Sequence, residues 1–210
     1  MTAEVAGDEK NPVITSYSVI GYEGIDIAAS WRLEDKPFIR DLIKKCRSDP
    51  KLAKSFYDAQ FYAARFGWHS HSPQAIGLAI NKMTDNGIQR HGELVCMKTS
   101  KLFTYFAIGT GSSPTTSQSS ALDAEIGRSY MDSDDGFRVS AGSDIIECGY
   151  FDETYPSFTA SESGCFDGDG TDPNSEIMEW RAVYPTSQQI AHTQNVNFMT
   201  YIHTIVMRAI

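Results

Sequence analysis

A chain of 210 residues with 41% hydrophobic and 11% aromatic residues can bury a sizeable core unaided, which excludes a disordered segment or a disulfide-dependent minidomain. No run approaches 18 apolar residues and the start, MTAEVAGDEKNP, is polar and acidic, so a soluble, non-exported product without membrane contact is expected. The net charge of −9 is lopsided: residues 1–100 carry 13 Lys+Arg against 12 Asp+Glu and residues 101–210 carry 5 against 15, which disfavours direct nucleic-acid binding and suits a basic neighbour in an assembly.

Residues 1–12 read as an extended arm. The run from Val13, VITSYSVIGYEGIDIAASWRL, is rich in β-branched and aromatic residues and predicts one or two strands. Three helix starts follow, each a cap residue before proline: Pro37, Pro50 and Pro73. Inward stripes at Phe38, Leu42 and Cys46, at Leu52, Phe56, Ala63 and Phe66, and at Ile76, Ile80 and Met83 predict helices over 36–47, 50–66 and 73–85, with Gly67 and Gly87 as stops.

After Glu93 the period falls to two. LVCMKTSKLFTYFAI predicts one or two strands, and Ala107–Arg128, AIGTGSSPTTSQSSALDAEIGR, ends a strand in a Ser/Thr/Pro arch. A short helical turn capped by Ser120 and Asp123 is expected to close it, with Leu122 and Ile126 inward. DIIECGYF (144–151), IMEWRAVY (177–184) and 195–206 predict further strands; in the second of these, Met178, Trp180, Ala182 and Tyr184 share one face and Glu179 and Arg181 the other. The expected fold class is α+β: an arm with strands over 1–34, a helical subdomain over 35–92, and an antiparallel β-sandwich-like domain over 93–210.

Candidate chemistry is sparse. Cys46, Cys96, Cys148 and Cys165 are scattered, so thiolate metal ligation is not indicated and reduced, packed thiols are expected. His69, His71 and His91 are the transition-metal candidates, and a metal-dependent hydrolase would be built on them. Asp167, Asp169 and Asp172 on a glycine-bent loop resemble a calcium loop, with Glu176 as a further ligand. The EF-hand register fails, however, because its glycine and glutamate positions hold Asp172 and Met178. Nucleophile-elbow and P-loop motifs are absent. A glycan-binding sandwich using the Tyr155–Asp172 loop and Trp180 is a reading of a different class.

The second half as a whole, over about 102–206, resembles a group of tailed-bacteriophage virion proteins found among tail, collar and tail-fibre-attachment components. The resemblance runs through Gly-Thr-Gly at 109–111, Ala-Leu-Asp-Ala-Glu-Ile-Gly-Arg at 121–128, Ile-Glu-Cys-Gly-Tyr-Phe at 146–151 and Arg-Ala-Val-Tyr-Pro at 181–185. The matched positions are Gly109, Gly111, Leu122, Glu125, Arg128, Glu147, Gly149, Phe151, Arg181 and Ala182. The chain departs at Ser112, Ser113, Tyr150 and Tyr184, and by an acidic insertion near 153–176.

The resemblance implies a non-enzymatic structural protein, made in the host cytoplasm and incorporated in the virion, that forms a ring-like homo-oligomer with other virion proteins in the neck, collar or tail. Capsid decoration or fibre attachment is the alternative. No cofactor is implied, calcium at the acidic loop apart. An Arg128–Glu147 or Glu125–Arg181 bridge is expected to close the arch onto the sheet.

Overall fold

The computed structural model describes residues 24–66, 73–142, 144–172 and 175–206; the expected arm, the strand signal before Gly24, His69 and His71 lie outside them. Strand β1 (Ile25–Arg32) alternates as its sequence demands: Ile27, Ala29 and Trp31 face one way, Asp26, Ala28 and Ser30 the other. Helices α1 (Lys36–Cys46) and α2 (Pro50–Phe66) begin at the proline signals, and Asp49 caps α2 by accepting the N–H groups of Lys51 at 3.0 Å and Leu52 at 3.1 Å. The buried stripe of α1 is Ile39, Ile43 and Cys46, one residue round from the expected one, leaving Phe38 partly exposed.

The expected third helix is instead strand β2 (Ala75–Met83), and the helix follows as α3 (Asp85–Val95). Ile76 and Ile80 are four residues apart, which fits a helix face and equally a strand face, since four is twice the strand period. Gly77 packs so closely on the carbonyl of Gln188 that any side chain would collide. Thr84, not Pro73, opens the helix: its hydroxyl accepts the Gly87 N–H at 2.9 Å, so Gly87 starts rather than stops it.

The remaining strands are β3 (Tyr105–Gly109), β4 (Glu125–Tyr130), β5 (Gly136–Ala141), β6 (Asp144–Phe151), β7 (Phe158–Ala160), β8 (Glu162–Phe166), β9 (Met178–Val183), β10 (Ile190–His192) and β11 (Asn197–Val206). No helical turn forms at 120–126; Leu122 is buried, but Ile126 is exposed on β4. Nine strands form one antiparallel sheet in the order β4-β3-β8-β9-β2-β1-β11-β6-β5, and β7 pairs with β10 as a ribbon. The Ser129 hydroxyl donates to the Asp135 carbonyl at 2.6 Å and accepts the Tyr150 N–H at 3.2 Å, which draws β4 towards β6 and nearly closes the sheet into a barrel. The expected α+β class with a mostly antiparallel sheet holds, the sheet being barrel-like where a β-sandwich-like packing was expected, and β1 and β2 from the first half sit at its middle.

Three apolar clusters follow from this closure. The interior holds Phe106, Ile108, Phe151, Trp180, Tyr184, Met199 and Tyr201. Outside, α1 and α2 cover Ile27, Trp31, Phe137, Ile146, Cys148, Phe198 and Ile202. On the arch side, Leu122 of the arch covers Ala107, Phe166 and Met178 on β3, β8 and β9.

Bases of the first half also meet acids of the second. Lys36 pairs with Glu153 at 2.6 Å, Arg40 with Asp135 at 3.3 Å, Arg47 with Asp134 at 3.4 Å and Arg90 with Asp167 at 2.6 Å. The charge asymmetry is therefore partly answered within the chain.

Candidate functional site

A β-bulge creates the first concentration of charge. Cys165 pairs with Trp180 and Phe166 with Met178, so Glu179 is the extra residue on β9. The expected alternation breaks there: Met178 turns out beneath the arch, while Glu179 turns in at the barrel end covered by α3. Glu179 accepts two N–H groups of Arg138, at 2.7 and 2.9 Å, and one from His91 at 2.5 Å. Arg138 also bonds Glu147, whose second oxygen accepts the Trp180 indole N–H at 2.8 Å, and it donates to the Phe103 carbonyl at 3.2 Å.

Burial alone would raise the Glu179 carboxyl, but the Arg138 guanidinium and His91 outweigh it and hold it at about 2. His203 stacks on Trp180 at 4.0 Å between ring centres, and burial pushes its imidazole down to about 3. It accepts from the Asn81 amide at 2.6 Å, and that amide is oriented by the Gly24 N–H on its oxygen at 2.6 Å. Ligand atoms of Glu147, Cys165 and Glu179 lie within 4.8 Å of one another, the one metal-competent grouping among the described residues. The cation these carboxylates hold is Arg138, bonded to both.

The second concentration lies beneath the arch. Glu162 on β8, fully buried, accepts the N–H groups of Gly111 at 2.8 Å, Ala124 at 2.9 Å and Asp123 at 3.1 Å, so one carboxylate ties both ends of the arch. Arg181 on the neighbouring strand bonds the same carboxylate at 2.7 and 3.0 Å and Asp123 at 2.8 Å. Deeper in the barrel, Asp26 Oδ2 accepts the hydroxyls of Tyr184, at 2.5 Å, and Ser163, while Oδ1 is buried without a partner. Burial raises this carboxyl to about 7 against the lowering effect of the two hydroxyls.

The matched positions of the sequence pattern can now be placed. Gly109 and Gly111 leave room for the Glu162 side chain, and Leu122 and Arg181 complete that clasp. Glu147, Gly149, Phe151 and Ala182 line the barrel, with Phe106 pressed on Gly149. Glu125 and Arg128 bond each other at 2.8 Å, and Arg128 reaches on to Glu176 at 2.7 Å over the Phe166 ring.

Neither expected cross-bridge forms, because each charge has a nearer partner: Arg128 takes Glu176, Glu147 takes Arg138, and Arg181 takes Glu162. Asp167 is turned inward to Arg90 and the Ile177 N–H, and Asp169 holds Thr171, so these carboxylates and Asp172 do not converge on a shared ion position. Trp180 is buried and offers no ring face to a sugar.

Arg138 and Glu162, the two residues that organise the charged centres, were not singled out by the sequence; each lies in a short strand whose own residues carry no motif. No family model matches the chain, and no curated protein or solved structure matches it either.

Proposed function

We propose that this chain is a structural subunit of a tailed-phage particle, acting through protein–protein interfaces in a ring or sleeve of the neck, collar or tail. The observation that carries the reading is the joint role of the pattern positions. Gly109, Gly111, Leu122 and Arg181 close the arch around Glu162, while Glu147, Gly149, Phe151 and Ala182 set the barrel interior. The positions of the resemblance thus hold a frame rigid, which suits a protein whose product is an assembly.

The ion centre supports the same reading. Glu147 and Glu179 are satisfied by Arg138, Trp180 and His91, so their charge is spent on the fold. Mass spectrometry of purified particles is the direct test: the chain is expected among the virion proteins, and its absence there would overturn the proposal. Its position in a particle reconstruction separates the neck, collar or tail reading from capsid decoration or fibre attachment.

A further inference from the structure

The barrel end covered by α3 carries two unlike patches side by side. The first is the turn from α3 into β3. Met97 sits there in the left-handed region at φ 55° with its side chain 92% exposed, and Leu102 is 56% exposed. A side chain held at positive φ destabilises the chain that carries it, and Met97 gains no packing within its own chain in return. Lys98 and Lys101, beside these two, are exposed and form no ion pair among the described residues.

The second patch begins three residues after Leu102. Tyr105 is half-buried at the start of β3, and its ring stacks on Tyr130, exposed at the end of β4, at 5.0 Å between centres. Arg128, two residues before Tyr130 on the same face of β4, donates to the Gly168 carbonyl and, at 2.7 Å, to Glu176, which holds the loop after β8 beside the two rings. That loop presents the exposed carboxylates of Asp169 and Asp172, and Asp132 in the turn after Tyr130 adds a third. None of the three forms an ion pair among the described residues. The Met131 N–H bonds the Thr104 carbonyl at 2.8 Å, so both patches share one rim.

We propose that this rim is a self-complementary surface on which two copies of the chain meet about a two-fold axis. Met97 and Leu102 of each copy rest on Tyr105 and Tyr130 of the other, and Lys98 and Lys101 face the carboxylates of Asp132, Asp169 and Asp172. An axis between two adjoining, unlike patches brings them together twice, which is the isologous arrangement. The signs also match: cations flank the aliphatic patch and carboxylates flank the aromatic one. At a net charge of −9, a chance contact between copies is repulsive, so a contact between them must bring its own cations. Lys36, Arg40, Arg47 and Arg90 are held by acids of their own chain, whereas Lys98 and Lys101 are not. The inference goes beyond the particle reading and does not depend on it.

Sedimentation of the full chain should show a monomer–dimer equilibrium that weakens as salt is raised. The variants Lys98→Glu/Lys101→Glu and Asp132→Lys/Asp172→Lys should each stay monomeric, because each sets like charges against each other in both halves of the contact. Mixed together they should form a one-to-one dimer, since every swapped patch then meets its opposite. A parent that stays monomeric, variants that associate as the parent does, or a mixture that stays monomeric would each overturn the proposal.

Met97→Gly should weaken dimerisation at least roughly tenfold, since it removes an apolar side chain from two equivalent contacts, although it relieves strain in the separate chain. Unchanged dimerisation of this variant would also overturn the proposal. A chain that dimerises in this way but is missing from virions sinks only the particle reading, whereas a virion protein whose isolated chain never dimerises sinks only this one.

Discussion

Glu162 Oε2 and Arg181 Nη2 lie 2.7 Å apart on adjacent strands, both side chains buried, with the arch threaded over them. Because the same carboxylate also accepts three backbone N–H groups, removing its charge should strand Arg181 and free both ends of the arch. Breaking a buried pair from one side costs about 3–5 kcal/mol, and Asp123 remains on Arg181, so Glu162→Gln is expected near the lower end, about 3 kcal/mol, by urea unfolding. Adding Arg181→Met should recover part of that loss. A single-variant cost under about 1 kcal/mol would show that the clasp contributes little.

Two glycines should respond in opposite directions to the same substitution. Gly92, exposed in α3, has nothing within 4 Å of an added Cβ, so Gly92→Ala should stabilise by about 0.5–1 kcal/mol through helix propensity. Gly77 faces the Gln188 backbone carbonyl, which cannot swing aside as a side chain would, and Gly77→Ala should lower the thermal midpoint. A Gly77→Ala variant as stable as the parent would mean that the loop after β9 shifts freely.

The carboxyl end of α3 predicts a second stabilising change. The Met97 N–H bonds the Leu94 carbonyl at 3.1 Å and the Lys98 N–H bonds the Glu93 carbonyl at 2.8 Å, the paired closure in which the residue after the cap turns left-handed. Met97 does so at φ 55° with its side chain 92% exposed, so it bears the steric cost without packing gain. Met97→Gly should raise stability by about 0.5 kcal/mol in chemical denaturation, the relief of strain less the added unfolded-state freedom of glycine. A loss of stability would mean that the exposed thioether makes a contact in solution.

The sequence was legible where a local rule had one outcome. Pro37 and Pro50 marked α1 and α2, and the alternation in 144–151 and 197–206 marked β6 and β11. It misled where a spacing fitted two periods, as at Ile76 and Ile80, and where one inserted residue shifted the phase, as at Glu179. Local caps do not reveal a bulge, because the bulge is defined by the partner strand. The charged centres were hidden for a related reason: Arg138, Glu147, Glu162, Glu179 and Arg181 are spread over four strands, and only sheet order brings them together.

Asp26 and His203 occupy paired positions on β1 and β11, and their titrations should oppose each other. The Asp26 carboxyl is raised from 3.8 to about 7 in the fold, so the native state holds a proton the unfolded chain has released; its contribution is complete below pH 3.8 and is lost as pH rises to 7. The His203 imidazole is lowered from 6.5 to about 3, so the unfolded chain binds the proton and stability rises with pH across 3 to 6.5. Between about pH 4 and 6.5 these two slopes are equal and opposite, and what remains is a rise towards pH 6.5 from His192, whose imidazole burial also lowers. Below 4.5, Glu179, held at about 2, adds a further loss as pH falls. Asp26→Asn removes one slope: stability of the variant should climb with pH from 4 to 6.5, by about 1.4 kcal/mol per pH unit from His203, with His192 adding to the rise. Urea unfolding of both proteins at pH 4.5, 5.5, 6.5 and 7.5 reads this out, and parallel profiles for parent and variant would show that Asp26 is ionised in the folded barrel throughout.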